Sequence, residues 1–130
     1  LLLDPTHPDH WSTMQRRAAG VAAVVSGIRT VAFSSVMRAE FDAQGSCLEP
    51  PRALQDRVPT RILVRTRFEP FETPDFRAMV HTLTQDWLSL IPGATVIPVE
   101  GSGHYIQQDE PNAVVAAVQS LLSELQRSGR

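Results

Sequence analysis

Apolar and polar positions change period several times along this chain, and each change marks an element. Leu1 to Leu3 are apolar without alternation, as a strand covered on both faces would be, and Asp4-Pro5 ends the run. From Trp11 to Val25 the apolar positions Trp11, Met14, Ala18, Val21, Ala22 and Val25 recur at helical spacing, with Asp9 available as cap and Gly27 as stop. A second helical stretch is expected from Ile28 to roughly Phe41, although its β-branched residues and Phe33-Ser34-Ser35 also suit an extended chain. Gly45 to Pro59 carries Pro50, Pro51 and Pro59 and reads as a loop or hinge within one fold.

Beyond that loop the pattern becomes strand, helix, strand, helix. Arg61 to Thr66 contains the run Ile62-Leu63-Val64 and predicts a strand, followed by a long turn through Phe68 to Pro74. Thr73 is placed to cap a helix with Pro74 at its first position; Phe76, Met79, Val80, Leu83, Trp87, Leu90 and Ile91 line one face of it, and Pro92-Gly93 stops it. Ala94 to Val99 predicts another strand, with Pro98 tolerable at a sheet edge or strand end. A last helix is expected from about Pro111, with Asp109 and Glu110 as N-terminal charge and Val114, Val115, Val118, Leu121, Leu122 and Leu125 as its buried face. Strands separated by helices imply an α/β fold with a parallel sheet of about three strands flanked by helices, and ligands of such sheets sit beyond the strands' C-terminal ends.

Composition narrows the partners. The 130 residues are 42% apolar and 20% charged, enough for one domain with a real core. Fourteen acidic residues against 12 basic ones leave a net charge of -2, so no electrostatic footprint for nucleic acid or anionic lipid exists. The basic residues are all arginine, which with the richness in Ala and Val points to a GC-rich, bacterial coding sequence. Cys47 is the single cysteine and permits no internal disulfide, and neither a signal peptide nor a long apolar span is present, so a cytoplasmic location is expected. Because Leu1 opens directly on a strand-like run, the chain is expected to begin in the middle of a sheet and to be a piece of a larger fold.

The candidate chemistry lies at the strand ends. His104, on a turn between Gly101, Gly103 and the last helix, is placed to offer one ring nitrogen to a hydroxyl while a carboxylate holds the other. Asp4 and Glu69 each follow a proposed strand and are the candidate orienting acids. The plainer alternatives are a turn-forming Asp-Pro at Asp4, a solvated loop charge at Glu69 and a backbone-bonded turn imidazole at His104. Asp4, His7, Asp9 and His10 are donors of the kind that hold metals, but they meet no fixed ligand spacing, and neither a metal nor a cofactor is expected. Trp11, Met14 and Trp87 read as core or pocket-lining residues, Arg16, Arg17, Arg65 and Arg67 as solvated charges, and Cys47 as a surface thiol.

The string from Gly101 to Val118, "GSGHYIQQDEPNAVVAAV", resembles the terminal histidine motif of the α/β-hydrolase superfamily, and "LLLDPTHPD" resembles the strand after which that fold inserts its cap. The resemblance implies a single partial hydrolase domain over 1–130, with a cap-like helical segment at 9–59 and a strand-helix-strand-helix core at 60–130. It implies a serine hydrolase, esterase-like, acting on an apolar ester or related acyl bond, with His104 as base. It leaves two places for the acid: Asp4, in a Leu-Asp-Pro context used by a minority of members, ranks slightly above Glu69, which with Glu72 and Asp75 follows the strand most members use. No Gly-x-Ser-x-Gly occurs, and Ser102 reads as a turn residue, so the nucleophile is expected upstream of residue 1. On this reading the isolated chain is inactive and requires that N-terminal half as partner. Two alternatives stand: a non-catalytic module that binds a small apolar molecule, and a dehalogenase or epoxide hydrolase with an aspartate nucleophile.

Overall fold

In a computed structural model, which describes residues 1–47 and 59–128, three short apolar runs lie side by side as parallel strands. They are β1 (Leu2–Leu3), β2 (Thr60–Arg65) and β3 (Ala94–Val99), in the order β1-β2-β3. Leu2 pairs with Ile62, Ile62 with Val96 and Arg65 with Val99, so all three strands run out toward the same edge. Between and after them come α1 (His10–Arg17), α2 (Ala19–Ala32), α3 (Ser35–Cys47), α4 (Pro74–Leu90), α5 (Ile106–Asp109) and α6 (Pro111–Ser128).

The lack of polar alternation in β2 follows from the two covers on the sheet. Ile62 belongs to one face, where Trp87 and Ile91 of the α4 region pack with Leu2, Val64 and Val96 around it. Leu63 belongs to the other, with Val99, Ile106 and Ala117, joined by Leu3, Ile97 and Val114. Ile62 and Leu63 are both fully buried, each burial stabilising the fold by roughly 1.5–3 kcal/mol. Pro98 lies on β3, at the sheet edge among the described residues, where its missing donor is tolerable.

A third cluster lies away from the sheet. Met14, Ala18, Val21 and Ala22 from α1, α2 and the bend between them pack on Phe76 and Met79 of α4. Thr73 caps α4 with its side-chain oxygen, which accepts the Phe76 N–H at 3.3 Å, and Pro74 occupies the first helical position.

Several expectations are corrected. The single helix expected over Trp11 to Val25 starts at His10 and is broken at Ala18, whose φ of -140° and ψ of 51° turn α2 away from α1 while both still bury residues against α4. Asp9 makes no side-chain cap there. Gly27 does not stop the helix: it is exposed, and α2 continues to Ala32, the real break being extended Phe33. Ser34 then accepts the Met37 N–H on its hydroxyl at 3.2 Å and starts α3, which runs on to Cys47 through residues read as loop. The remainder of the Gly45 to Pro59 loop, as far as residue 58, lies outside the described residues. On α6 the sheet-facing stripe is Ala113, Val114 and Ala117, while Val115, Val118, Leu122 and Leu125 are exposed rather than buried. No described helix is long and apolar enough to cross a membrane.

Candidate active site

The C-terminal ends of the three strands open onto one another. Just past β1, Asp4 takes a left-handed backbone conformation, φ 40°, and its N–H is held by the Leu63 carbonyl at 2.7 Å. This is an uncommon state for a residue with a side chain, though aspartate and asparagine tolerate it best. Held this way, its carboxylate lies beside β2, where Oδ1 accepts the Arg65 N–H at 3.4 Å.

The turn after β3 is fastened to the segment after β2. Thr66 and Arg67 both donate their N–H to the Ser102 carbonyl, and the Thr66 hydroxyl donates to the Val99 carbonyl while accepting the Gly101 N–H, both at 3.0 Å. Gly101 has φ 74°, a backbone state in which a side chain would be strained. Asp109 closes the turn from the far side: its carboxylate accepts the Gly103 N–H at 2.7 Å and pairs with Arg67 at 2.9 Å. The sequence suggested only helix-end charge for Asp109; its work is to fix the loop that carries the imidazole, and Arg67, exposed as expected, is also paired with it.

That loop presents His104 to Asp4. Nδ1 of His104 lies 2.7 Å from Oδ2 of Asp4, across 100 residues of chain. A carboxylate only accepts, so Nδ1 carries the proton, and in the neutral ring Nε2 is left with its lone pair. Nε2 has no hydrogen-bond partner among the described residues, and the side chain is half exposed. Asp4 itself is nearly buried. Arg65 Nε approaches Asp4 Oδ2 to 3.3 Å as an ion pair, and Arg65 Nη1 reaches Glu72 at 3.0 Å. The guanidinium also lies over the Phe68 ring, 4.7 Å from its centroid. Arg65 is therefore a buried, doubly paired cation and not a solvated charge.

Glu69 is not brought to the histidine. It is exposed, and its N–H donates to the Glu72 carboxylate at 2.6 Å, so the turn after β2 directs Glu72 inward and leaves Glu69 outside. Glu72, 6% exposed, faces Arg65 and not His104. Ser102 is fully buried, with its hydroxyl donating to the Gly103 carbonyl at 3.0 Å.

A cavity of about 680 Å³ opens beside the pair, and both His104 and Asp4 line it. Trp11, Met14, Val25, Phe76, Val80 and Trp87 supply apolar wall, in the size range and character of small-molecule sites. Two more histidines of the segment after β1 face it. His7 is buried and fully engaged: Nδ1 accepts the Asp9 N–H at 3.0 Å, which leaves Nε2 as the donor to Asp86 at 3.0 Å. His10 begins α1, its ring edge-on to Phe76 at 5.9 Å between centroids. Burial, and then the Arg65 guanidinium, push the His10 imidazole down from 6.5 to about 4, against the pull of Asp4. Among the described residues no group of three or more His, Cys, Asp or Glu side chains could hold a metal ion.

What could have been found from sequence is limited to one rule: the short segment after each strand end carries the chemistry, and His10 and Glu72 both lie in such segments. Nothing in their spacing separates them from Asp9 or Glu69. Scanned against protein-family models, curated proteins and solved structures, the chain matches none, so the site stands on its own geometry.

Proposed function

We propose that residues 1–130 are the C-terminal part of a serine hydrolase that cleaves an ester or related acyl bond, with His104 as general base and Asp4 as its orienting acid. The reading is carried by one observation: a 2.7 Å contact between His104 Nδ1 and Asp4 at adjoining strand ends, on the wall of an apolar cavity. In this reaction Nε2 takes the proton of an attacking hydroxyl and returns it to the leaving oxygen, while Asp4 stabilises the imidazolium in between. The hydroxyl and the donors for the developing oxyanion come from a segment outside residues 1–130, docked along the outer edge of β1. In this arrangement α1 to α3 act as the cap that walls the acyl pocket.

The test is turnover of 4-nitrophenyl butyrate by the chain produced together with the coding segment upstream of it. Turnover is expected to fall on the order of 10³-fold or more in His104→Ala and in Asp4→Asn, with Glu69→Gln unchanged. Equal rates for wild type and His104→Ala sink the assignment. A second reading rests on the apolar wall alone: the same cavity holds a small apolar molecule without chemistry, and no turnover in that assay favours it.

A further inference from the structure

His10 shares the cavity wall with the Trp87 indole N–H, which is also without a hydrogen-bond partner among the described residues. The backbone N–H of His10 is held by the His7 carbonyl at 2.9 Å and its ring rests on Phe76, yet neither ring nitrogen has a hydrogen-bond partner among the described residues. His7, three residues earlier, shows the contrast, with both nitrogens committed to the protein. A largely buried imidazole that keeps one donor and one acceptor in hand, on the wall of an apolar cavity shared with His104, is arranged for a ligand.

The charges around it define which ligand. Arg65 is the guanidinium of the wall, and it is already paired with Asp4 and Glu72, so it offers little to an incoming anion, which would also meet those two carboxylates. The other charges of the wall are the carboxylates Asp4, Asp9, Asp42 and Glu72, and they disfavour an anion further. We propose that His10 binds the polar head of an uncharged amphiphile, a carbonyl compound such as a neutral ester or ketone, whose alkyl chain fills the cavity, and that the site rejects carboxylates of the same length. The inference rests on the hydrolase reading for the identity of the reacting bond, but the binding step needs no nucleophile.

Trp11 and Trp87 both line the cavity and are the chain's two tryptophans, so their fluorescence reports binding directly. The 130-residue chain is titrated at pH 7.5 with 2-octanone and octanoate. The ketone is expected to bind at least about tenfold more tightly than octanoate, and His10→Phe, which keeps the ring and removes both nitrogens, to weaken the ketone by about threefold to tenfold, the loss of one neutral hydrogen bond. His10→Gln, which keeps a donor and an acceptor, is expected to retain most of the affinity. Should His10→Phe not fold, the His10 imidazole nitrogen resonances of the wild type are followed instead, and they must move as the ketone saturates. Octanoate that binds as well as the ketone, no ketone binding at all, unchanged affinity in folded His10→Phe, or unmoved resonances overturns the proposal. Ester turnover indifferent to His104, with ketone binding still dependent on His10, overturns the hydrolase reading alone.

Discussion

Removing the His10 imidazole should change how acid unfolds the protein. In the folded chain the ring titrates at about 4, against 6.5 for an unhindered histidine, with burial first among the causes and Arg65 second. Asp4 pulls the other way, while His7 and His104 push down together with Arg65. Between those two values the unfolded chain carries the extra proton and the folded chain does not, so each step toward acid favours unfolding. Above pH 6.5 neither state is protonated at this site and it adds no slope; below about pH 4 both are, and the slope ends. Two and a half units at 1.36 kcal/mol each is about 3 kcal/mol, reduced to roughly 2 because the ring is partly exposed. The measurement is urea unfolding, followed by tryptophan fluorescence at intervals from pH 8 to pH 4, for wild type and His10→Gln. All other side chains are common to the two proteins, so the difference between the two curves isolates residue 10. That difference is expected to be constant above pH 6.5 and to shift by about 2 kcal/mol against the wild type by pH 4. Parallel curves across the whole range would refute the claim that this imidazole is held neutral by its surroundings.

Three further outcomes follow from the packing. Glu72→Gln is expected to cost about 3 kcal/mol in urea unfolding, since it weakens a buried pair with Arg65, whereas exposed Glu69→Gln should stay within about 0.5 kcal/mol of wild type. Thr73→Ala should cost about 1 kcal/mol through loss of the α4 cap, and Thr73→Ser should recover most of it in the same assay. Met79→Ala, at a site with no exposure between α4 and the α1–α2 pair, should cost about 2–5 kcal/mol and lower the thermal midpoint accordingly.

What could be read from the residues was what local chemistry decides. Thr73-Pro74 is a helix start that few other pairings imitate, and Pro92-Gly93 ends the same helix, so α4 was legible nearly to the residue. The unbroken apolar runs announced a sheet covered on both faces before the covers were known. Failures came where tertiary packing chose among locally equal options. α6 carries two apolar stripes at helical spacing, and small Ala113 and Ala117 let one of them approach the sheet closely, a choice periodicity cannot express. The bend at Ala18 has no glycine or proline to announce it, and Gly27 shows the reverse, a breaker overridden at a cost of about 1 kcal/mol. At the site, the turn after β2 offers Glu69 first and Glu72 only after it, yet Glu72 goes inside, where its carboxylate accepts the Glu69 N–H.

The left-handed backbone at residue 4 restricts how this position can change over time. A glutamate would keep the charge but adds a methylene and has no liking for that conformation, so it cannot stand in for aspartate there. Asparagine can: it suits the same twist and the same neighbours while giving up the ability to accept and stabilise a proton. On the proposed hydrolase reading, a single-base codon change is thus enough to leave the architecture and its pocket standing with the proton relay silenced, which makes the distance from enzyme to receptor, for a lineage built on this turn, as short as mutation allows.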